Sequence, residues 1–217
     1  MLKTVQHSRL AARRLVLRLM GGTALAALSS LAVATASIGQ AAPDFSASTA
    51  DGRTLELKSL RGKTVVLEWT NHDCPYVKKH YRSGNIPQQQ QDATGQGVVW
   101  LQIISSAPAT QGHVDGATAL RLNTERSAKP AAVLLDPTGQ IGRLYGARTT
   151  PHMYVITPEG RLAYAGGIDS IPSARDEDIA RADQFVRLAL ADLRAGKPVG
   201  RSSSQAYGCS IKYASNS

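Results

Sequence analysis

Two cysteines, Cys74 and Cys209, are all that the 217-residue chain contains. That excludes a scaffold stapled by several bridges and leaves room for a single intramolecular disulfide. Acidic residues are missing from the first 43 positions, and charge of either sign is missing between Arg18 and Asp44. A basic run interleaved with aromatics is missing too, so the usual footprint of a nucleic-acid binder is absent. No internal repeat occurs, and past residue 41 no change of composition divides the chain into two domains.

What the first 41 residues do have is five Lys/Arg followed by an uncharged stretch rich in Ala, Gly, Ser and Thr. A basic start, an apolar middle and a small-residue exit are the parts of an export signal, expected over residues 1–41. Two exits are available, Ala34-Thr35-Ala36 and Gly39-Gln40-Ala41. The later one, with Pro43 close behind it, is the expected cut. A retained membrane anchor is the alternative, because the uncharged run is long enough to span a bilayer. The stretch "ARRLVLR" resembles a twin-arginine signal but lacks the usual Phe. The expected location is therefore extracytoplasmic, such as the periplasm, with membrane contact only if the signal stays attached. Loss of this segment removes five of the 25 Lys/Arg and none of the 16 Asp/Glu, so the formal charge falls from +9 to +4. A balance of that size calls for no nucleic acid.

The remaining 176 or so residues suffice for one domain with a real core, expected over 42–197, and a tail over 198–217 carrying Cys209. "DFSASTADGRTLELKSLRGK" reads as a hairpin around Asp51-Gly52. "TVVLEWT", "VVWLQII" and "AAVLLD" are apolar enough to be buried strands. "CPYVKKHY" reads as a helix with Pro75 at its first position, and "IPQQQQDATGQ" as a polar helix or extended loop. "DGATALRLNTERSA" and "QIGRLYGA" read as helices, and "RTTPHMYVITPEGRLAYAGGI" as a second hairpin around Pro158-Glu159-Gly160. The last helix is expected across "EDIARADQFVRLALADLRAG", where Ile179, Ala182, Phe185, Val186, Ala189, Leu190 and Leu193 share a face. Alternation of this kind implies an α/β fold, a mixed sheet with helices on both faces and an N-terminal hairpin.

Cys74 closes a strand and opens a helix, where free backbone N–H groups and the helix dipole favour an anion. Such a position favours the thiolate, the reactive form of cysteine. His72, Lys78 and Lys79 would add positive potential, and Asp73 would oppose it. A small buried side chain is the other reading.

The stretches "DFSASTADGRTLELKSLRGKTVVLEWTNHDCPYV" and "RTTPHMYVITPEGRLAYAGGID" resemble the two halves of thioredoxin-like redoxins. That group includes the alkyl hydroperoxide reductase/thiol-specific antioxidant proteins. The resemblance covers residues 43 to 195 and implies a thioredoxin-like fold with Cys74 as nucleophile. It implies that Pro151 is the cis-proline facing the nucleophile, with Thr150 offering its backbone to an extended substrate strand. Glu68, six residues before Cys74, matches the buried acid that assists proton transfer; a salt-bridged residue at a sheet edge is the other reading. Thr150, Pro75, Tyr76 and His72 are the residues expected to meet the substrate.

The departures from the family are as informative. Val77 stands where thioredoxins carry their second cysteine. Leu67 and Asn71 occupy the two helper positions of peroxiredoxins, Pro151 stands where their peroxide-orienting arginine belongs, and Arg148 lies three residues early. Cys209 is the expected resolving or structural partner of Cys74, with Tyr207 and Tyr213 as anchors for the tail; a dimer bridge and a free thiol are the alternatives. His80 and His113 are expected at the surface or stabilising a helix. A copper site built from His72, His80, His152 and Cys74 would need a second nearby cysteine, so no metal or other cofactor is expected. The expected activity is exported thiol oxidoreduction on a protein disulfide or a peroxide, with an external thiol reductant. A non-catalytic chaperone or assembly factor on the same fold is the alternative.

Overall fold

The computed structural model describes residues 35–215. Most of the expected export signal lies outside the described residues.

The two hairpins and three buried strands form where the apolar pattern places them. β1 (Ser46–Thr49) pairs antiparallel with β2 (Thr54–Glu56). β3 (Val65–Trp69), β4 (Val99–Ile104) and β5 (Ala132–Leu135) run parallel to one another. β7 (His152–Ile156) returns antiparallel beside β3 and pairs with β8 (Leu162–Gly166). The sheet order is β2-β1-β5-β4-β3-β7-β8, so β3 is interior. All five β3 residues are buried, Glu68 among them, as an interior strand with four apolar residues in five implies. Full burial of its Val, Leu and Trp side chains contributes roughly 1.5–3 kcal/mol each.

One face of the sheet carries α1 (Pro75–Arg82), α2 (Asn85–Gly95) and α5 (Phe185–Arg194), whose Val77, Ile86, Val186 and Ala189 pack with Val66, Trp100 and Val155. α3 (Gly116–Glu125) sets Ala119 against Ile104 and Val133. The opposite face is covered by α4 (Gln140–Leu144), whose Ile141 joins Leu67, Trp69, Leu101 and Ile103. Helices on both faces of a mixed sheet make the α/β, thioredoxin-like arrangement. The polar segment after Gly84 is a helix, not an extended loop: Gly84 takes a positive φ of 73° at the turn, and Gln89 and Gln90 are buried on the inner face.

The last helix differs from expectation. It begins at Phe185, and residues 176–181 form a separate 3-10 turn. The intervening Ala182–Gln184 is extended because Asp169 bridges Gln184, and the Asp183 carbonyl accepts from the Ser170 amide at 3.1 Å. Pairing with the chain after β8 wins over helical continuity, although the apolar spacing runs through the break.

The fold also starts earlier than residue 42. The Gly39 amide donates to Leu162 O at 2.8 Å, Leu162 N to Gln40 O at 2.9 Å, and Ala42 N to Gly160 O at 2.9 Å. Residues 39–42 thus extend the β8 edge, and the cut expected after Ala41 would fall inside this pairing.

At the other end the tail crosses back over the domain. Tyr213 lies against Gly142, where an added Cβ would sit 2.2 Å from its hydroxyl, and donates to the Ala147 carbonyl at 2.7 Å. Ile211 is buried in the core, and β9 (Cys209–Ser210) pairs antiparallel with β6 (Thr149–Thr150).

Candidate redox site

Cys74 caps the N-terminus of α1 with an extended backbone (φ −69°, ψ 122°), and Pro75 takes the first helical position, where its missing N–H costs nothing. The Cys74 amide donates to Asn71 O at 3.1 Å, and its carbonyl accepts the Lys78 amide at 2.8 Å, which fixes the turn. The thiol is fully buried, and its Sγ donates to the Thr150 carbonyl at 3.1 Å. Thr150 precedes Pro151, and the peptide bond between them is cis.

The edge offered by Thr149 and Thr150 is occupied by the chain's own β9, in the register Thr149 to Ser210 and Thr150 to Cys209. Gly208 makes that approach possible. Its φ is 132°, and a Cβ there would lie 2.0 Å from Thr150 O. The Cys209 side chain packs against the buried cluster that contains Cys74, and both cysteines are free thiols. Burial, followed by the Cys74 thiol, pushes the Cys209 thiol up to about 11. Cys209 therefore holds its proton at neutral pH.

Glu68 sits under the site. It is fully buried and accepts from the Tyr81 hydroxyl, from Trp100 Nε1 at 2.7 Å and from Gln90 Nε2 at 3.3 Å. Burial raises its pKa, while the three donors and Arg126 pull the other way without cancelling that effect. Glu68 is thus an interior acid, not a salt-bridged edge residue. It bonds to Tyr81 of α1, not to Cys74 itself.

The other expected site residues divide between two sides of α1. Tyr76 faces the tail, its ring meeting Tyr207 edge-on at 5.7 Å. His72 faces away, into a groove of about 710 Å³ shared with Asp73, Lys78, Tyr81 and Arg126. Burial lowers the His72 pKa, and Asp73 at 3.3 Å opposes that.

His80 is fully buried rather than at the surface. Its Nδ1 meets Asn85 Nδ2 at 2.9 Å and its Nε2 the Tyr207 hydroxyl at 3.2 Å. His113 keeps Nδ1 within 3.1 Å of the Ser106 carbonyl. His152 stacks on Tyr154. Among the described residues no three His, Cys, Asp or Glu gather as metal ligands. The peroxide helpers stay apart as well. The Asn71 side chain accepts the Asp73 amide at 2.9 Å and Arg148 is exposed.

Two features escaped the sequence. Asp169, 1% exposed, forms a buried pair with Lys79 beneath the tail. A lysine three residues after Tyr76, on the face that receives the tail, was the available signal. Gly208 gave no signal, because its need for a positive φ arises only from the approach to Thr150.

A sequence model of the AhpC/TSA family matches residues 38–165. No curated protein matches the chain. Among solved structures, an uncharacterized conserved protein from Geobacillus kaustophilus is similar at 24% identity and a TM-score of 0.70, covering 83% of this chain and 94% of that one. A hypothetical protein from Sinorhizobium meliloti is similar at 21% identity and a TM-score of 0.70, covering 84% and 98%. A candidate protein disulfide isomerase from Bacteroides thetaiotaomicron is similar at 20% identity and a TM-score of 0.53, covering 76% and 92%. At these identities the likeness is one of fold.

Proposed function

The chain belongs to the AhpC/TSA family, and on that premise we propose that it is an exported thiol–disulfide oxidoreductase in which Cys74 attacks and Cys209 resolves. The observation that carries this is the convergence of both cysteines on Thr150, Cys74 through its thiol and Cys209 through the β6–β9 ladder, from positions 135 residues apart in the chain. Loop closure over such a distance has an entropic cost that grows only slowly with length, and the tail's anchors meet it in the folded state.

Cys74 sulfur attacks a client disulfide, forms a mixed disulfide and releases the first client thiol. Cys209 sulfur then attacks Cys74 sulfur, which releases the second client thiol and leaves a Cys74–Cys209 bond. An external dithiol returns both cysteines to thiols. The cis-Pro151 loop and Thr150 backbone supply the strand edge at which an extended client pairs, once β9 yields it. Pro75 and Tyr76 line that side of the nucleophile. Glu68 supplies a proton-holding group near the helix, through Tyr81.

Peroxide chemistry is less well supported. Leu67 replaces the motif's proline, Asn71 stands at the hydroxyl position and is committed to the Asp73 amide, and Arg148 is turned to solvent. Export rests on residues 1–41 of the sequence, and the β8-edge pairing of Gly39–Ala42 favours the exit at Ala36 over the one at Ala41.

Insulin reduction with dithiothreitol tests the proposal, with hydrogen peroxide consumption run in parallel. Insulin reduction abolished by Cys74→Ser supports it. Cys74-dependent peroxide turnover without insulin reduction converts the assignment to a peroxidase. Identical behaviour of wild type and Cys74→Ser in both assays leaves a non-catalytic binding protein.

A further inference from the structure

Four polar groups meet in the interior beneath the tail. Lys79 Nζ donates to Asp169 Oδ2 and to the Ile171 carbonyl, each at 3.3 Å, and the Lys79 and Asp169 side chains are both fully buried. His80 Nε2 lies 3.8 Å from the same carboxylate oxygen. Burial brings the His80 pKa down to about 3, so the ring is neutral and the cluster holds one cation and one anion. Asp169 Oδ1 accepts the Ile171 amide at 3.1 Å and the Tyr207 hydroxyl.

A buried ion pair is weak evidence for stability, because apolar residues of equal volume often serve as well. What distinguishes this cluster is where its members come from. Tyr76, Lys79 and His80 share one face of α1, and Cys74 caps the same helix. Tyr207 reaches the cluster from the tail, and Cys209 lies two residues beyond it. The Tyr207 ring meets Tyr76 at 5.7 Å and Lys79 Nζ at 5.7 Å from its centroid. One helix therefore carries both the nucleophile and the socket, and one strap carries both the plug and the second thiol.

We propose that Tyr207 is the positioning residue of the thiol pair: its hydroxyl, held by Asp169 in the Lys79–His80 socket, fixes Gly208 and Cys209 against Thr150 and sets the equilibrium of the Cys74–Cys209 bond. This rests on the assignment of the two cysteines as a redox pair. Oxidation by glutathione disulfide forms the Cys74–Cys209 bond and breaks the glutathione S–S bond, and the two protein thiols' hydrogens pass to two glutathione thiols. Any group that holds Cys209 near Cys74 raises its effective concentration and favours the protein disulfide.

The test is the equilibrium constant of the purified protein in glutathione buffers, read by thiol trapping and mass. Tyr207→Phe keeps the ring and deletes the hydroxyl, and it lowers the constant about tenfold, the worth of one hydrogen bond to a charged group. Asp169→Asn shifts it in the same direction. Tyr145→Phe, which deletes a buried hydroxyl bonded to Pro43 O at 2.7 Å and outside the Lys79–Asp169 socket, leaves it unchanged. A Tyr207→Phe constant equal to wild type overturns the positioning role, as does an equal shift in Tyr145→Phe. A wild-type protein that keeps both thiols at every glutathione ratio overturns the redox pair and this role with it.

Discussion

Thr150 and Cys209 face one another across the ladder between β6 and β9, and the Thr150 carbonyl also accepts the Cys74 thiol at 3.1 Å. One peptide group thus touches both cysteines. In a thioredoxin-like fold this edge is where an extended client would pair, and here the chain's own tail takes the place. The tail accordingly brings to this edge the second thiol that the Cys74 turn, with Val77 at the local position, does not carry.

Gly208→Ala separates the tail from that edge. A Cβ there would stand 2.0 Å from Thr150 O at a φ that side chains rarely adopt, a strain of roughly 1–3 kcal/mol. The domain should stay folded by circular dichroism, while Cys74, fully buried in the wild type, is alkylated by iodoacetamide at least several times faster. An unchanged alkylation rate would show that β9 does not shield the nucleophile.

Glu68 gives a pH signature with a defined sign. Its folded pKa is raised above the ordinary 4.5 by burial, so the folded protein favours the neutral acid. The stability it contributes is fully present below about pH 4.5 and is lost as pH rises through the folded pKa, by about 1.4 kcal/mol per unit of upward shift. Glu68→Gln cannot ionise and lacks this loss. In urea titrations between pH 4 and pH 8 the variant should gain on wild type as pH rises. A variant that loses ground to wild type as pH rises would place the Glu68 pKa below its ordinary value.

The socket under the tail has a stability of its own to lose. Asp169→Ala leaves the Lys79 ammonium buried without its carboxylate, at a cost of roughly 3–5 kcal/mol. Denaturant midpoints under reducing conditions measure it, and a loss below about 1 kcal/mol would mean that water or Ile171 O satisfies Lys79 unaided.

On the proposed export route, the mature protein should begin at Ser37. Cutting after Ala36 preserves the bonds of Gly39, Gln40 and Ala42 to the β8 hairpin, and the matched family sequence also begins at residue 38. Intact mass of the exported form distinguishes this N-terminus from Ala42, which would show that the edge pairing forms no part of the secreted fold.

Much of this was legible in the sequence because it depends on local pattern. β3 is apolar apart from Glu68, and Pro75 after Cys74 marks the start of the next helix, so the strand and the junction were legible together. Pro151 and Thr150 followed from resemblance, and Tyr207 and Tyr213 from being aromatic anchors in an otherwise polar tail. What stayed hidden depends on contacts between distant segments. Nothing local in the sequence marks Asp169 as the partner of Lys79, and the break before Phe185 comes from pairing with Asp169 and Ser170. Residues 39–41 read as the end of a signal because small residues suit a cleavage exit and an edge strand equally well.

The central claim is that Cys74 and Cys209 form one redox pair within a single chain. The most direct measurement oxidises the reduced protein with glutathione disulfide, then maps peptides without reduction. The account predicts a monomer with no free thiol and a single cross-linked peptide joining the segments around Cys74 and Cys209, absent in Cys209→Ser. Two thiols that persist after oxidation, or a bond between Cys209 residues of two chains, would contradict it.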